Sequence, residues 1–211
     1  MTYNTQMETN NKSFILLTST GLSNKKANNY INDFCKNKSN IVSIVVTASE
    51  DKKENKYVKL AVEQFKELGI KKINLIDLEI GEDVPKETTI LYVSGGNTFK
   101  LMHHARESNF IDSVRNTLSQ NGLYIGVSAG SIIVGNSIES ASVGEGDENT
   151  VGLDNFTGLG LIDFSIFPHS NEEIKLEVIS NKKFKFPIFI GDDQAFLVEL
   201  NSENVINSKF I

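Results

Sequence analysis

A serine between two glycines, a histidine behind a proline and a Gly-Gly-Asn turn are the residues of this chain best suited to chemistry. Ser128 lies in Gly126-Val127-Ser128-Ala129-Gly130. A serine hydroxyl is a weak nucleophile unless it stands exposed beside a base and near donors for the oxyanion its attack creates. A sharp strand-to-helix turn gives that exposure, and glycines on both sides let the turn close. The apolar Leu123-Tyr124-Ile125 before it and Ser131-Ile132-Ile133-Val134 after it read as that strand and that helix start. Three histidines are available as base. His103 and His104 adjoin in the helical Leu101–Arg106 segment, where neighbouring side chains diverge by about 100° and make a poor metal pair. His169 follows an apolar strand and Pro168, at a carboxyl edge, and is the candidate base.

A third group must orient the imidazole. Nucleophile-elbow hydrolases run serine, acid, histidine along the chain. That order leaves Glu139, Glu145, Asp147, Glu148, Asp154 and Asp163 as candidates, and spacing alone does not choose among them. The amide of Ala129, directly after the nucleophile, is one expected oxyanion donor. Gly96, in Gly95-Gly96-Asn97, is the other, because a residue without Cβ lets the backbone approach the substrate. Asn97 is a substrate-binding candidate. Read as part of a plain strand-to-helix turn, Asn97 or Thr98 is instead the N-cap of the next helix.

The elements that would hold these residues alternate. Ser13–Thr18, Ile41–Thr47, Ile73–Ile76, Thr89–Val93 and Leu123–Ile125 are short apolar runs rich in β-branched residues. Lys25–Lys38, Glu54–Leu68, Asn97–Arg106 and Phe110–Gln120 carry helical periodicity between them. Continuous apolar strands separated by helices predict a mostly parallel sheet covered on both faces, with the active site beyond its carboxyl edge. Residues 137–155 are rich in Gly, Ser, Glu, Asp and Asn and predict a long loop with short strands over that edge. Leu161–Phe167 reads as a strand, Glu172–Ser180 as a helix, and Pro187–Ile190, Ala195–Glu199 and Asn204–Ile211 as closing strands.

Composition narrows the function classes. The chain has 211 residues, 39% hydrophobic and 23% charged, with a net charge of −6, which suits one soluble domain and gives no general attraction to nucleic acid or anionic membrane. Its single cysteine, Cys35, excludes an internal disulfide framework and fits the cytoplasm. Residues 1–12 are polar and read as a disordered leader, with residues 13–211 as one α/β domain. Arg106 and Arg115 are the only arginines.

Gly95-Gly96-Asn97-Thr98-Phe99, the Leu123–Ser131 elbow about thirty residues later and Phe167-Pro168-His169 about forty beyond resemble the serine peptidase family of dipeptidase E (aspartyl dipeptidase) and cyanophycinase. Thr47-Ala48-Ser49 and Gly191-Asp192-Asp193-Gln194-Ala195 also resemble family positions. The resemblance implies a flavodoxin-like three-layer α/β sandwich related to class I glutamine amidotransferases, with Ser128 as nucleophile and His169 as base. It implies Gly96 and Ala129 as oxyanion hole, and an acid some fifteen to seventeen residues after the serine. That spacing favours Glu145, with Asp147 as the alternative. Aspartyl dipeptidases hold an acidic side chain with an arginine soon after the histidine. Here Glu172 and Glu173 stand in that region, with Lys175 as the nearby cation. Strict selection of an N-terminal aspartate is therefore not expected.

The expected activity is cytoplasmic hydrolysis of short peptides through an acyl-enzyme, without metal or organic cofactor. The expected partner is a small peptide, with no nucleic acid or membrane, for a monomer or homodimer. The alternatives are a cyanophycinase-like isopeptidase and a catalytically silent, amidotransferase-like binding module.

Overall fold

The computed structural model describes residues 12–36, 38–201 and 204–211. Along them run β1 (Lys12–Thr18), α1 (Lys25–Cys35), β2 (Ile41–Val45), α2 (Lys56–Glu67), β3 (Lys72–Ile76), β4 (Ile90–Val93), α3 (Thr98–Glu107) and α4 (Phe110–Ser119). Then come β5 (Leu123–Val127), α5 (Ala129–Ile132), β6 (Ser165–Phe167), α6 (Glu172–Asn181), β7 (Pro187–Phe189), β8 (Ala195–Asn201) and β9 (Asn204–Phe210). Asparagine precedes five of the helices and caps four of them with its side chain. The side chains of Asn24, Asn55, Asn97 and Asn171 accept hydrogen bonds from first-turn amides of α1, α2, α3 and α6, satisfying donors that the helix itself cannot.

Seven strands form one sheet in the order β3-β2-β4-β5-β1-β8-β9. The first five are mutually parallel, and β8 and β9 close the sheet antiparallel. Counted from β2, the run β3-β2-β4-β5 has the 2-1-3-4 order of flavodoxin-type sheets, whose ligands gather beyond the carboxyl ends at the point where strand order reverses. Side chains alternate across each strand, and helices cover both faces. Ile15 and Leu17 pack in one layer with Phe99 and Met102 of α3 and Phe110 and Val114 of α4. Leu16 packs in the other with Ile31 of α1 and Val58 and Phe65 of α2. Complete burial of a side chain such as Phe65 contributes about 1.5–3 kcal/mol.

The second half departs from the sequence expectation. Only Ser165–Phe167 of the expected 161–167 strand is extended, and it joins β7 in a separate parallel pair rather than entering the main sheet. Residues 137–155 hold one short helical turn at Glu139–Ser142 and a single bridge, Ser137 to Thr157, because their glycines and short polar side chains satisfy the backbone locally. The expected leader falls on residues 1–11, outside the described residues, and on Lys12, which already belongs to β1. Cys35 ends α1 half-buried, and burial raises its thiol pKa, which disfavours the reactive thiolate. Among the described residues no helix is long and apolar enough to cross a membrane.

The junction of β5 and α5 is fastened from below. The Ser131 hydroxyl donates to the Thr18 carbonyl (2.8 Å) and accepts from the Thr18 amide (3.1 Å). The Tyr124 hydroxyl donates to the Gly130 carbonyl (2.7 Å) in the core. A Cβ on Gly130 would lie 2.2 Å from the Val93 carbonyl oxygen, so α5 starts in contact with the β4 backbone. Ser131→Ala deprives buried backbone groups of Thr18 of this partner. It should lower the unfolding free energy by about 1–3 kcal/mol, read as a fall in the urea midpoint at unchanged slope.

Candidate active site

Ser128 occupies the turn between β5 and α5 with φ +49° and ψ −109°, a conformation L-residues rarely adopt. Such a residue costs about 1–3 kcal/mol and persists only where its surroundings enforce it. Here its amide donates to the Thr18 carbonyl (2.9 Å), and its carbonyl accepts from Ser131 and Ile132. Ala129 is the first residue of α5, so its amide lies outside the helix's own hydrogen bonding.

The Gly95-Gly96 turn leaves the end of β4 beside it. Gly95 touches the serine closely enough that an added Cβ would lie 3.1 Å from Ser128 Cβ. Gly96 has φ +137°, and a Cβ there would lie 2.2 Å from the Ala48 carbonyl oxygen after β2, so only glycine fits. Gly96 and Ala129 thus sit on the two turns that converge at the hydroxyl. Asn97 also lines this space, but its side chain is committed elsewhere. Its Oδ1 caps the Lys100 amide (2.9 Å) and its Nδ2 donates to the Glu148 carbonyl (2.7 Å). These bonds make it a helix cap and a loop tether at a position that also lines the cavity.

His169 comes from the loop after β6, also at positive φ (+53°). Its amide donates to Ser19 Oγ (2.9 Å), which donates to the Ile190 carbonyl (2.9 Å). Ser19 follows β1, so one hydroxyl ties the β6–β7 pair to the main sheet. The ring Nδ1 lies 2.7 Å from Asp192 Oδ1. With Nδ1 donating to that carboxylate, Nε2 is left as the proton acceptor.

The carboxylate beside the imidazole is therefore Asp192, not Glu145 or Asp147. Asp147 Oδ2 instead accepts from the Thr98 amide at the start of α3 (2.8 Å). Glu145 is exposed on the loop and has no contact with the ring. The reason is the parallel β6–β7 pair, which sets Phe167 against Phe189. The residues just beyond each strand end, His169 and Asp192, then emerge side by side. Thr20 Oγ1 fixes the second turn by donating to the Asp192 carbonyl (2.9 Å). The available signal was the Gly191-Asp192-Asp193 turn closing a short apolar strand. The expected serine-acid-histidine order excluded it. His169 and Asp192 are 50% and 67% exposed, so solvent screens their attraction, and the carboxylate acts mainly by orienting the ring.

Ser128 and His169 are the two residues shared by two adjoining cavities of about 700 and 800 Å³. The first has an apolar wall of Leu22, Tyr57, Val58, Leu60, Tyr92 and Val127, with Glu50 and Asp51 also lining it. The second lies between the 140–147 loop and α6 and is lined by Glu145, Asp147, Glu173 and Glu177. Lys175 is absent from this lining and pairs with Glu172 (2.7 Å). Among the described residues His103, His104 and Glu107 are the cluster whose ligand atoms fall within 4.8 Å of one another, on α3 and outside both cavities.

Residues 15–204 match the model of peptidase family S51. An uncharacterized peptidase of Listeria monocytogenes is 27% identical over 166 residues, covering 74% of this chain and 81% of the relative. Peptidase E of Nostoc is 32% identical over 105 residues, covering 50% and 42%. The crystal structure of a proposed peptidase E from Listeria monocytogenes superposes with TM-score 0.72 at 22% identity, covering 95% of this chain and 99% of the other.

Replacing Asp192 by Asn keeps the shape and removes the charge. If it orients His169, hydrolytic kcat should fall about 10²-fold, less than the ~10⁴ typical of a buried triad acid. Steady-state kinetics showing less than a twofold fall would remove Asp192 from this role.

Proposed function

The chain belongs to peptidase family S51, and we propose that it hydrolyses short peptides as a serine peptidase through an acyl-enzyme. The observation that carries this reading is the strained Ser128 turn sharing its cavities with a histidine already oriented by a carboxylate. His169 Nε2 takes the Ser128 proton as Oγ attacks the peptide carbonyl. The amides of Gly96 and Ala129 receive the negative charge that develops on the carbonyl oxygen. His169, now protonated, gives its proton to the leaving amine. Water then enters, is deprotonated by the same nitrogen and releases the acyl group from Ser128.

A cavity on each side of Ser128 leaves room for peptide on both sides of the scissile bond. The resemblance to dipeptidase E supports a dipeptidase-like exopeptidase. The serine-based elbow and the sheet order also support kinship with class I glutamine amidotransferases. The single cysteine supports a cytoplasmic setting.

A dipeptide-library screen tests the proposal, with Ser128→Ala as control. Wild-type protein should hydrolyse a subset of dipeptides and take up a fluorophosphonate on Ser128. Ser128→Ala should lose both, its turnover falling about 10⁴-fold or more, with an unchanged circular dichroism spectrum. An unlabelled Ser128, together with no turnover by the wild-type protein, would instead leave a binding module.

A further inference from the structure

We infer that the cavity between the 140–147 loop and α6 selects a cationic group on the peptide, an inference that rests on the peptidase reading of Ser128. Four carboxylates line this cavity, Glu145, Asp147, Glu173 and Glu177, and no lysine or arginine does. The neighbouring cations are engaged elsewhere, Lys175 with Glu172 and Lys183 with Glu139. Among the described residues Glu145, Glu173 and Glu177 enter no ion pair. Asp147 gives one oxygen to the Thr98 amide and keeps the other. Glu145, Glu173 and Glu177 are exposed in this wall, and no lysine or arginine among the described residues is set against them.

A second observation is independent of that charge. Ser140 lines the same cavity, is 6% exposed, and its hydroxyl has no hydrogen-bond partner. A buried hydroxyl without a partner is uncommon in a folded protein. Here an unpartnered polar atom stands in the wall that the four carboxylates also line.

Ser128 and His169 close one end of the cavity, so whatever fills it belongs to the molecule being cut. The opposite cavity has an apolar wall of Leu22, Tyr57, Val58, Leu60, Tyr92 and Val127. The matching substrate is a short peptide with an ammonium or guanidinium group on one side of the scissile bond and an apolar residue on the other. An acidic side chain in the α6 cavity meets only like charge, which excludes it. The cation has two chemical sources, the free amino terminus and a lysine or arginine side chain.

Binding to Ser128→Ala separates these sources and does not require turnover. Four dipeptides are titrated calorimetrically: Lys-Ala and norleucyl-Ala, each with its α-amine free or acetylated. At least one cationic form should bind ten times or more tighter than acetyl-norleucyl-Ala. Loss of affinity on acetylation assigns the amino terminus, and loss on replacing lysine by norleucine assigns the side chain. Combined Glu145→Gln, Glu173→Gln and Glu177→Gln substitution should bring the ratio to within twofold. Glu50→Gln with Asp51→Asn, in the other cavity, should leave it intact. Equal binding of all four peptides, or a preference that survives the triple substitution, overturns the inference. Failure of Ser128 to react with fluorophosphonate overturns the peptidase reading instead, and leaves these binding ratios readable.

Discussion

The backbone of Ser128 is the constraint around which the rest is arranged. A residue at φ +49° relaxes unless every neighbouring group opposes it, and here the groups that do so come from four strands and a helix. β5 delivers the chain, the end of β1 takes the serine amide on the Thr18 carbonyl, and α5 returns the amides of Ser131 and Ile132 to the serine carbonyl. The β4 backbone fills the space a side chain at Gly130 would need, and the Gly96 turn rests against the residue after β2. The central strand order is what brings these four carboxyl ends to one point. The same parallel pairing that buries the core on both faces also concentrates amide donors and small residues beside one hydroxyl.

The base and its partner are built differently. They belong to a two-stranded pair that makes no ladder with the main sheet and is tied to the end of β1 through hydrogen bonds rather than through a continuous strand. Ser19 is the pivot, joining the His169 amide to the Ile190 carbonyl. Because Ser19 and Thr20 follow directly from β1, the strand whose Thr18 holds Ser128 also positions histidine and aspartate. One short segment, residues 18–20, thereby couples all three side chains.

Much of this was legible in the residues. The central sheet follows from apolar runs of strand length between periodic helices. Ser128, Gly96 and Ala129 follow from local turn chemistry, which depends on near neighbours in the chain. Asp192 was not legible, because its role arises from a pairing between two three-residue strands. Strands so short carry almost no periodicity, and no local pattern tells whether Ile166 adds to the main sheet or pairs with Ile188. The abundance of acids between Ser128 and His169 made the error easy. Asp147 instead accepts from the first amide of α3, Glu139 pairs with Lys183 and Asp163 accepts from Asn136. Asn97 shows the converse, since its side chain does what its position before a helix suggests.

β6, α6 and β7 form one strand-helix-strand unit. Base and acid leave from its two strand ends, while the helix between them supplies Glu173 and Glu177 to a cavity wall. Strand pairing, not the helix surface, keeps His169 and Asp192 in step. The face of α6 turned to the cavity can therefore be rewritten without moving the atoms that break the bond. Within residues 165–192 the proposed base with its carboxylate and one wall of the cavity can thus vary as separate traits, while Ser128 and the rest of that wall lie elsewhere in the chain.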